Sequence, residues 1–279
     1  MQTGSLFVTP DWVIEHLQDD NLVILDASMQ QVVGRMPIEY EQPTFLLCAV
    51  PFDLENGFID PDSHLPHTLP TPERFTQLSQ QLGINEDSHI VIYDNQGIYS
   101  APRAWWMFQV MGHPNVSIMD GGLPAWLEKG YPTQMQPSVV SELGNFQANI
   151  QPRWLSRLEQ VLQAIEDENT CIIDARAEAR FLGKAPEPRP GLRSGHIPSA
   201  LNLPFLTLMR GNGYESTENI AKAFNLLGIK PSQRLVFSCG SGITACILLV
   251  AAIQSGYDKV SVYDGSWAEW GADQNLPIE

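Results

Sequence analysis

The chain repeats itself. Val116-Ser117-Ile118-Met119-Asp120-Gly121-Gly122, followed by Trp126, recurs as Val260-Ser261-Val262-Tyr263-Asp264-Gly265-Ser266, followed by Trp270. Asp120 and Asp264 stand 144 residues apart, and so do the two tryptophans. Upstream, Leu22-Val23-Ile24-Leu25-Asp26-Ala27 pairs with Cys171-Ile172-Ile173-Asp174-Ala175, placing Asp26 and Asp174 148 residues apart. Between these anchors Ile90-Val91-Ile92-Tyr93-Asp94 matches Leu235-Val236-Phe237-Ser238-Cys239, with Asp94 and Cys239 145 residues apart. Three anchors in the same order mark a duplication.

A duplicated chain of 279 residues folds as two domains of ordinary size. In each half, short β-branched runs alternate with helical segments. That pattern predicts an α/β fold, a mostly parallel sheet flanked by helices in each domain. Thr9-Pro10 is a helix-start signal, and helices are expected over Ser100 to Met111 and Thr244 to Gln254. The first domain is expected over residues 1–131, the second over 153–279. A polar, proline-flanked linker, 132–152, joins them.

The pairing exposes one asymmetry that matters chemically. Cys239 follows the apolar run Arg234 to Ser238 and opens Cys239-Gly240-Ser241-Gly242-Ile243-Thr244-Ala245, after which an apolar helix follows. A strand, a glycine-punctuated loop and a helix place a thiol among backbone N–H groups at a helix N-terminus, which favours a thiolate or persulfide anion. The glycines allow a curl that a Cβ would obstruct. The first half has Asp94 at this point, followed by Asn95-Gln96-Gly97. A carboxylate cannot relay sulfur, so the first domain is expected to be catalytically silent. In parallel sheets ligands gather at the C-terminal strand ends, where Cys239 lies.

The net charge of −16 argues against nucleic acid and anionic membranes as partners. No apolar run approaches the roughly 20 residues of a membrane helix. Cys48, Cys171, Cys239 and Cys246 show no metal-type spacing and no disulfide framework. Neither a signal nor a transit sequence is evident in Met1 to Asp11, so a cytoplasmic enzyme is expected, without metal or organic cofactor.

The Cys239–Ala245 loop resembles the active-site loop of the rhodanese superfamily, in the form carried by 3-mercaptopyruvate sulfurtransferases. Thiosulfate-using members have Arg and Lys where this chain has Gly240 and Ser241. Tyr99 to Phe108 and Gly195-His196-Ile197-Pro198-Ser199-Ala200 extend the resemblance over essentially the whole chain. One departure is Phe45-Leu46-Leu47-Cys48-Ala49, which stands where the silent half lacks a Gly-His-Ile-Pro motif. The resemblance implies two tandem rhodanese-like domains and a sulfurtransferase that releases pyruvate. Cys239 would take the sulfur as a persulfide and pass it to cyanide or to a thiol acceptor such as thioredoxin or a small dithiol.

The same resemblance assigns site residues. Arg180 and Arg189 match the arginines that grip the substrate's carboxylate and carbonyl oxygens, a task suited to a planar guanidinium. Gly240, Gly242, Ile243 and Thr244 would line the sulfur-binding loop. Ser241, His67 and Glu55 match a proposed proton-handling group, with Glu for the usual Asp. Asp60 and Asp62 are rivals for the acid and His64 for the histidine. Arg176 is assigned to structural pairing, and Cys246 to packing.

Two alternatives lie outside this chemistry, and one within it. A phosphatase on the same fold needs an arginine six residues past the cysteine, where Ala245 stands. A non-enzymatic persulfide carrier would have no use for Arg180 and Arg189. Within enzymes the rival is a thiosulfate sulfurtransferase, against which the uncharged Gly240-Ser241 pair argues.

Overall fold

The β-branched runs become parallel strands, and the alternating segments become helices. The computed structural model describes residues 5–279. In the first unit the order is β1 (Phe7–Val8), α1 (Pro10–His16), β2 (Leu22–Asp26), β3 (Val50–Pro51), α2 (Pro72–Gln81), β4 (His89–Tyr93), α3 (Ala101–Val110), β5 (Val116–Met119) and α4 (Gly122–Glu128). The strands form a parallel sheet ordered β1-β5-β4-β2-β3. α1 starts as the sequence indicates, with Pro10 at its first turn and Thr9 Oγ1 accepting the Trp12 N–H at 3.1 Å.

The second unit reproduces this plan. Its elements are β6 (Leu155–Ser156), α5 (Leu158–Ala164), β7 (Thr170–Asp174), α6 (Glu178–Phe181), β8 (Leu201–Asn202), α7 (Thr217–Leu226), β9 (Arg234–Ser238), α8 (Ile243–Gln254), β10 (Val260–Tyr263) and α9 (Ser266–Trp270). The five-stranded parallel sheet is ordered β8-β7-β9-β10-β6, the same topology read from the other edge. Even the register is kept, since Leu22 to Asp26 pair with His89 to Tyr93 as Thr170 to Asp174 pair with Arg234 to Ser238.

Each core lies between sheet and helices. α8 is buried nearly all round, which explains its apolar composition on every face. Trp126 in the first unit and Trp267 and Trp270 in the second are fully buried, so each repeated tryptophan is a core anchor. Among the described residues no helix is long and apolar enough to cross a membrane.

The segment 132–152 is tied down along its length. Thr133–Gln134 pairs with Phe45–Leu46, Gly144 N–H donates to Gln80 O, and Asn149 and Gln151 N–H donate to Met111 and Val110 O. Residues through Gln151 therefore pack with the first unit. Asp62–Thr68, although read within the first repeat, packs with the second unit, and Gly211–Gly213 packs with the first.

Candidate active site

β9 ends at Ser238, and the chain reverses through Cys239 to Gly242 before entering α8. Gly242 has φ of +81°, the left-handed conformation that a glycine adopts without steric cost. The turn is pinned by α9. Trp267 N–H donates to Cys239 O at 2.9 Å, and Ala268 N–H donates to Gly240 O at 3.0 Å. Ser266 Oγ accepts the Cys239 N–H at 3.2 Å and donates to Tyr263 O at 2.9 Å. Cys239 is thereby fixed at the strand end and 2% exposed.

The matching loop of the first unit holds a carboxylate. The carboxylate of Asp94, fully buried, accepts N–H bonds from Gln96 at 2.8 Å, Tyr99 at 2.8 Å, Ser100 at 2.9 Å and Ala101 at 2.8 Å. Burial pushes this carboxyl upward, and the four N–H groups pull against that push by favouring the anion. In the second unit the N–H groups from Gly240 to Thr244 donate to no backbone carbonyl among the described residues. The strand-end loop of the first unit thus holds an anion through its N–H groups, and the matching N–H groups of the second unit are not spent on backbone carbonyls among the described residues. One loop is filled by the chain's own carboxylate; the other adjoins a thiol.

The arginines reach the same place from the loop after β7. An ideal Cβ built on Gly240 would lie 3.2 Å from Arg180 Nη2 and 3.8 Å from Arg189 Nη1. Arg189 Nη2 donates to Ser241 Oγ at 3.4 Å. Both guanidiniums therefore face the residue after Cys239, and the absent side chain of Gly240 leaves them room.

Sequence reasoning missed the residue that holds Arg180. Glu187 accepts from Arg180 Nε at 3.2 Å and Nη2 at 2.5 Å, and from Arg176 Nη1 at 2.8 Å. Arg176 in turn forks onto Asp174, with Nη2 at 2.6 Å and Nε at 2.9 Å from Oδ2. It also donates to Gly195 O and lies 4.4 Å above the Trp267 ring. The Arg176, Asp174 and Glu187 side chains are at most 3% exposed, whereas Arg180 is 16% exposed. A buried alternation of two carboxylates and two guanidiniums thus runs from the sheet edge to the site, as desolvated charges require. The signal available was a glutamate between two prolines in an arginine-bearing loop. Ser266 was missed as well, although it stands in the repeated motif; its φ of +50° is visible only in the backbone.

Ile243 and Thr244 form the first turn of α8. His67 belongs to the segment that packs with the second unit, with φ of +59° in a turn where Ser63 Oγ and Thr68 Oγ1 are 2.8 Å apart. Glu55 lies in the first unit, where its carboxylate accepts the N–H groups of Gln30 at 3.0 Å and Gln31 at 3.4 Å.

Residues 9–129 and 157–273 match the rhodanese-like domain. The chain belongs to the rhodanese family. It is 40% identical to the 3-mercaptopyruvate sulfurtransferase of Escherichia coli strain K12, over 98% of this chain and 97% of that protein. It is 39% identical to the mitochondrial thiosulfate/3-mercaptopyruvate sulfurtransferase 1 of Arabidopsis thaliana, over 100% of this chain and 79% of that protein. Among solved structures it resembles SseA from Escherichia coli, described as a 3-mercaptopyruvate sulfotransferase. That match has a TM-score of 0.84 and 36% identity, covering 94% of this chain and 99% of the other. The tandem rhodanese architecture and the duplication read from the sequence are thus one feature.

Proposed function

We propose that this chain is a 3-mercaptopyruvate sulfurtransferase. The observation that carries the reading is the convergence of Arg180, Arg189 and the Ser241 hydroxyl around Gly240, beside the buried Cys239. A 2-oxo acid needs charge-assisted donors for its carboxylate and carbonyl oxygens. A guanidinium offers five N–H groups, and Arg180 commits one on Nε and one on Nη2 to Glu187, leaving three for substrate.

In the proposed reaction the Cys239 thiolate attacks the sulfur of 3-mercaptopyruvate, forming an S–S bond as the substrate's C–S bond breaks. The electron pair leaves on carbon as the enolate of pyruvate, whose oxygen is met by arginine; protonation at carbon gives pyruvate. Ser241 is the proton-handling hydroxyl at the loop, with His67 its proposed partner and Glu55 the proposed acid behind it. The Cys239 persulfide is held by the loop N–H groups from Gly240 to Thr244. A thiol such as thioredoxin or a small dithiol then attacks the outer sulfur and regenerates the thiolate; cyanide does the same, leaving as thiocyanate. The acidic chain and its thiol cysteines support a cytoplasmic setting.

The test is side-by-side turnover of mercaptopyruvate and thiosulfate against cyanide, for wild type and for Cys239→Ser, Arg180→Ala and Arg189→Ala. Mercaptopyruvate should be the better donor. Cys239→Ser should be inactive and acquire no added sulfur in its intact mass. Each arginine variant should lose at least about tenfold in kcat/KM, the scale of one charged hydrogen bond. Undiminished turnover in Cys239→Ser, or thiosulfate as the preferred donor, would overturn the reading.

A further inference from the structure

The duplication provides an internal comparison at the other end of the strand from Cys239. α1 and α5 are each seven residues long, and Pro10 and Leu158 begin them 148 positions apart. Trp12 therefore corresponds to Gln160, His16 to Ala164 and Leu22 to Thr170, while Val8 corresponds to Ser156 on the edge strand. His89 opens β4 beside Leu22 as Arg234 opens β9 beside Thr170.

In the first unit aromatic rings occupy this corner. The Trp12 ring stacks on His16 with centroids 3.9 Å apart and lies 5.1 Å from the His89 ring; Val8 and Leu22 close it from the core side. In the second unit each of these fillers is smaller or polar. The result is a cavity of about 150 Å³ lined by Ser156, Gln160, Gln163, Asp167, Thr170 and Arg234. Where the first unit places three aromatic rings, the second has an open pocket. The flanking serine persists in both halves, as Ser117 and Ser261, and so does the acidic residue, as Asp19 and Asp167.

Two opposite charges face this space without neutralising each other. Arg234 reaches only hydroxyls, Ser156 Oγ at 3.3 Å and Ser261 Oγ at 3.5 Å, both from Nη2. Among the described residues no carboxylate stands within ion-pair distance of it. Asp167 is held by the Thr170 hydroxyl at 2.7 Å and the Asn169 N–H at 3.0 Å, leaving acceptor capacity on both oxygens. A partly buried guanidinium with only long neutral contacts retains donors for an anion, and the ionised Asp167 disfavours a ligand that is purely anionic.

We propose that this cavity is a second binding site, for a small free α-amino acid whose carboxylate meets Arg234 and whose ammonium meets Asp167. The volume equals about five waters at ~30 Å³ each, which suits a small ligand such as serine, alanine or cysteine. The site lies at the start of β9, and Cys239 follows its end, so the two are separated by about 16 Å at ~3.3 Å per residue. It is thus distinct from the sulfur-transfer site and does not depend on the donor assigned there.

Calorimetric titration of the full chain with L-serine tests the proposal, with acetate, ethylammonium and sulfate as partial mimics. L-Serine should bind saturably at one site, and each mimic at least about tenfold more weakly, because each forgoes one of the two charge contacts. Arg234→Gln and Asp167→Asn should each weaken L-serine at least about tenfold, while Arg180→Ala leaves it unchanged. Importing the first unit's fillers, Gln160→Trp with Ala164→His, should abolish binding. Thermal melts confirm folding, and Arg234→Gln alone suffices if the refilled variant does not fold. Sulfurtransfer by Arg234→Gln should match wild type. Absence of saturable L-serine binding, sulfate binding as tightly as L-serine, or loss of binding in Arg180→Ala would each overturn the proposal.

Discussion

Glu187 grips Arg180 through two hydrogen bonds, at 3.2 Å from Nε and 2.5 Å from Nη2, and this carboxylate is anchored by Arg176 at 2.8 Å. The aim of a flexible side chain is therefore set by a residue that is itself immobilised in the core.

Glu187→Gln keeps one acceptor oxygen and the side-chain shape while removing the charge that orients both guanidiniums. It should raise KM for mercaptopyruvate about tenfold or more, with a smaller change in kcat, because loosening Arg180, the proposed substrate clamp, would weaken binding before it impaired the sulfur transfer itself. Glu187→Ala should also unfold at lower temperature, since it leaves Arg176 with a lost partner in a buried position. An unchanged KM in Glu187→Gln, with the melt intact, would show that Arg180 needs no such support.

Donor preference should follow the two residues after the cysteine. Replacing Gly240 by Arg and Ser241 by Lys places cations beside the sulfur, which favours thiosulfate, a dianion. The structure adds a second effect. A side chain at 240 enters the space 3.2 Å from Arg180 and 3.8 Å from Arg189, displacing the groups proposed to hold the 2-oxo acid. Both effects move the kcat/KM ratio toward thiosulfate, by about tenfold or more. Ser241→Ala separates hydroxyl loss from added charge. A ratio that stays at the wild-type value in the double variant is the contrary result.

Acid should destabilise the first unit through His113. Its Nε2 meets Asn85 O at 3.1 Å, while the buried Nδ1 has no hydrogen-bond partner among the described residues. Burial pushes the imidazole below its ordinary value of about 6.5. The folded form then binds fewer protons than the unfolded one. The contribution is fully present above about pH 6.5 and is lost as pH falls from there toward the depressed folded value. Urea midpoints at about pH 7.5 and about pH 5.5 measure it, and His113→Phe should shrink the difference. His89, also depressed by burial, acts in the same direction and remains in that variant.

The repeat was legible because equal spacing of short apolar runs survives duplication, and it became two sheets with one register. The place of Cys239 was legible for a related reason: strand, glycine and helix signals are local. Glu187 was not, because its role rests on contacts to Arg180 and Arg176 across a loop that carries no periodicity. Nor did local pattern reveal that residues 62–68 pack with the second unit, or that the polar segment 132–152 is bonded along the first. The allegiance of 132–152 is set by tertiary hydrogen bonds, to which binary patterning is blind.

The carboxylate of Asp94 is covalently tethered inside its ring of N–H groups and can never dissociate. Its clasp on the first unit is therefore constant, whatever the supply of sulfur. In the proposed cycle the matching position of the second unit alternates between thiolate and persulfide, so the bonds its loop makes to the sulfur change with each turnover. Calorimetry should then find the two halves responding unequally to donor: the melt of the second unit shifts with loading, and that of the first stays put. Duplication has left this chain with a fixed internal standard for its own working cycle.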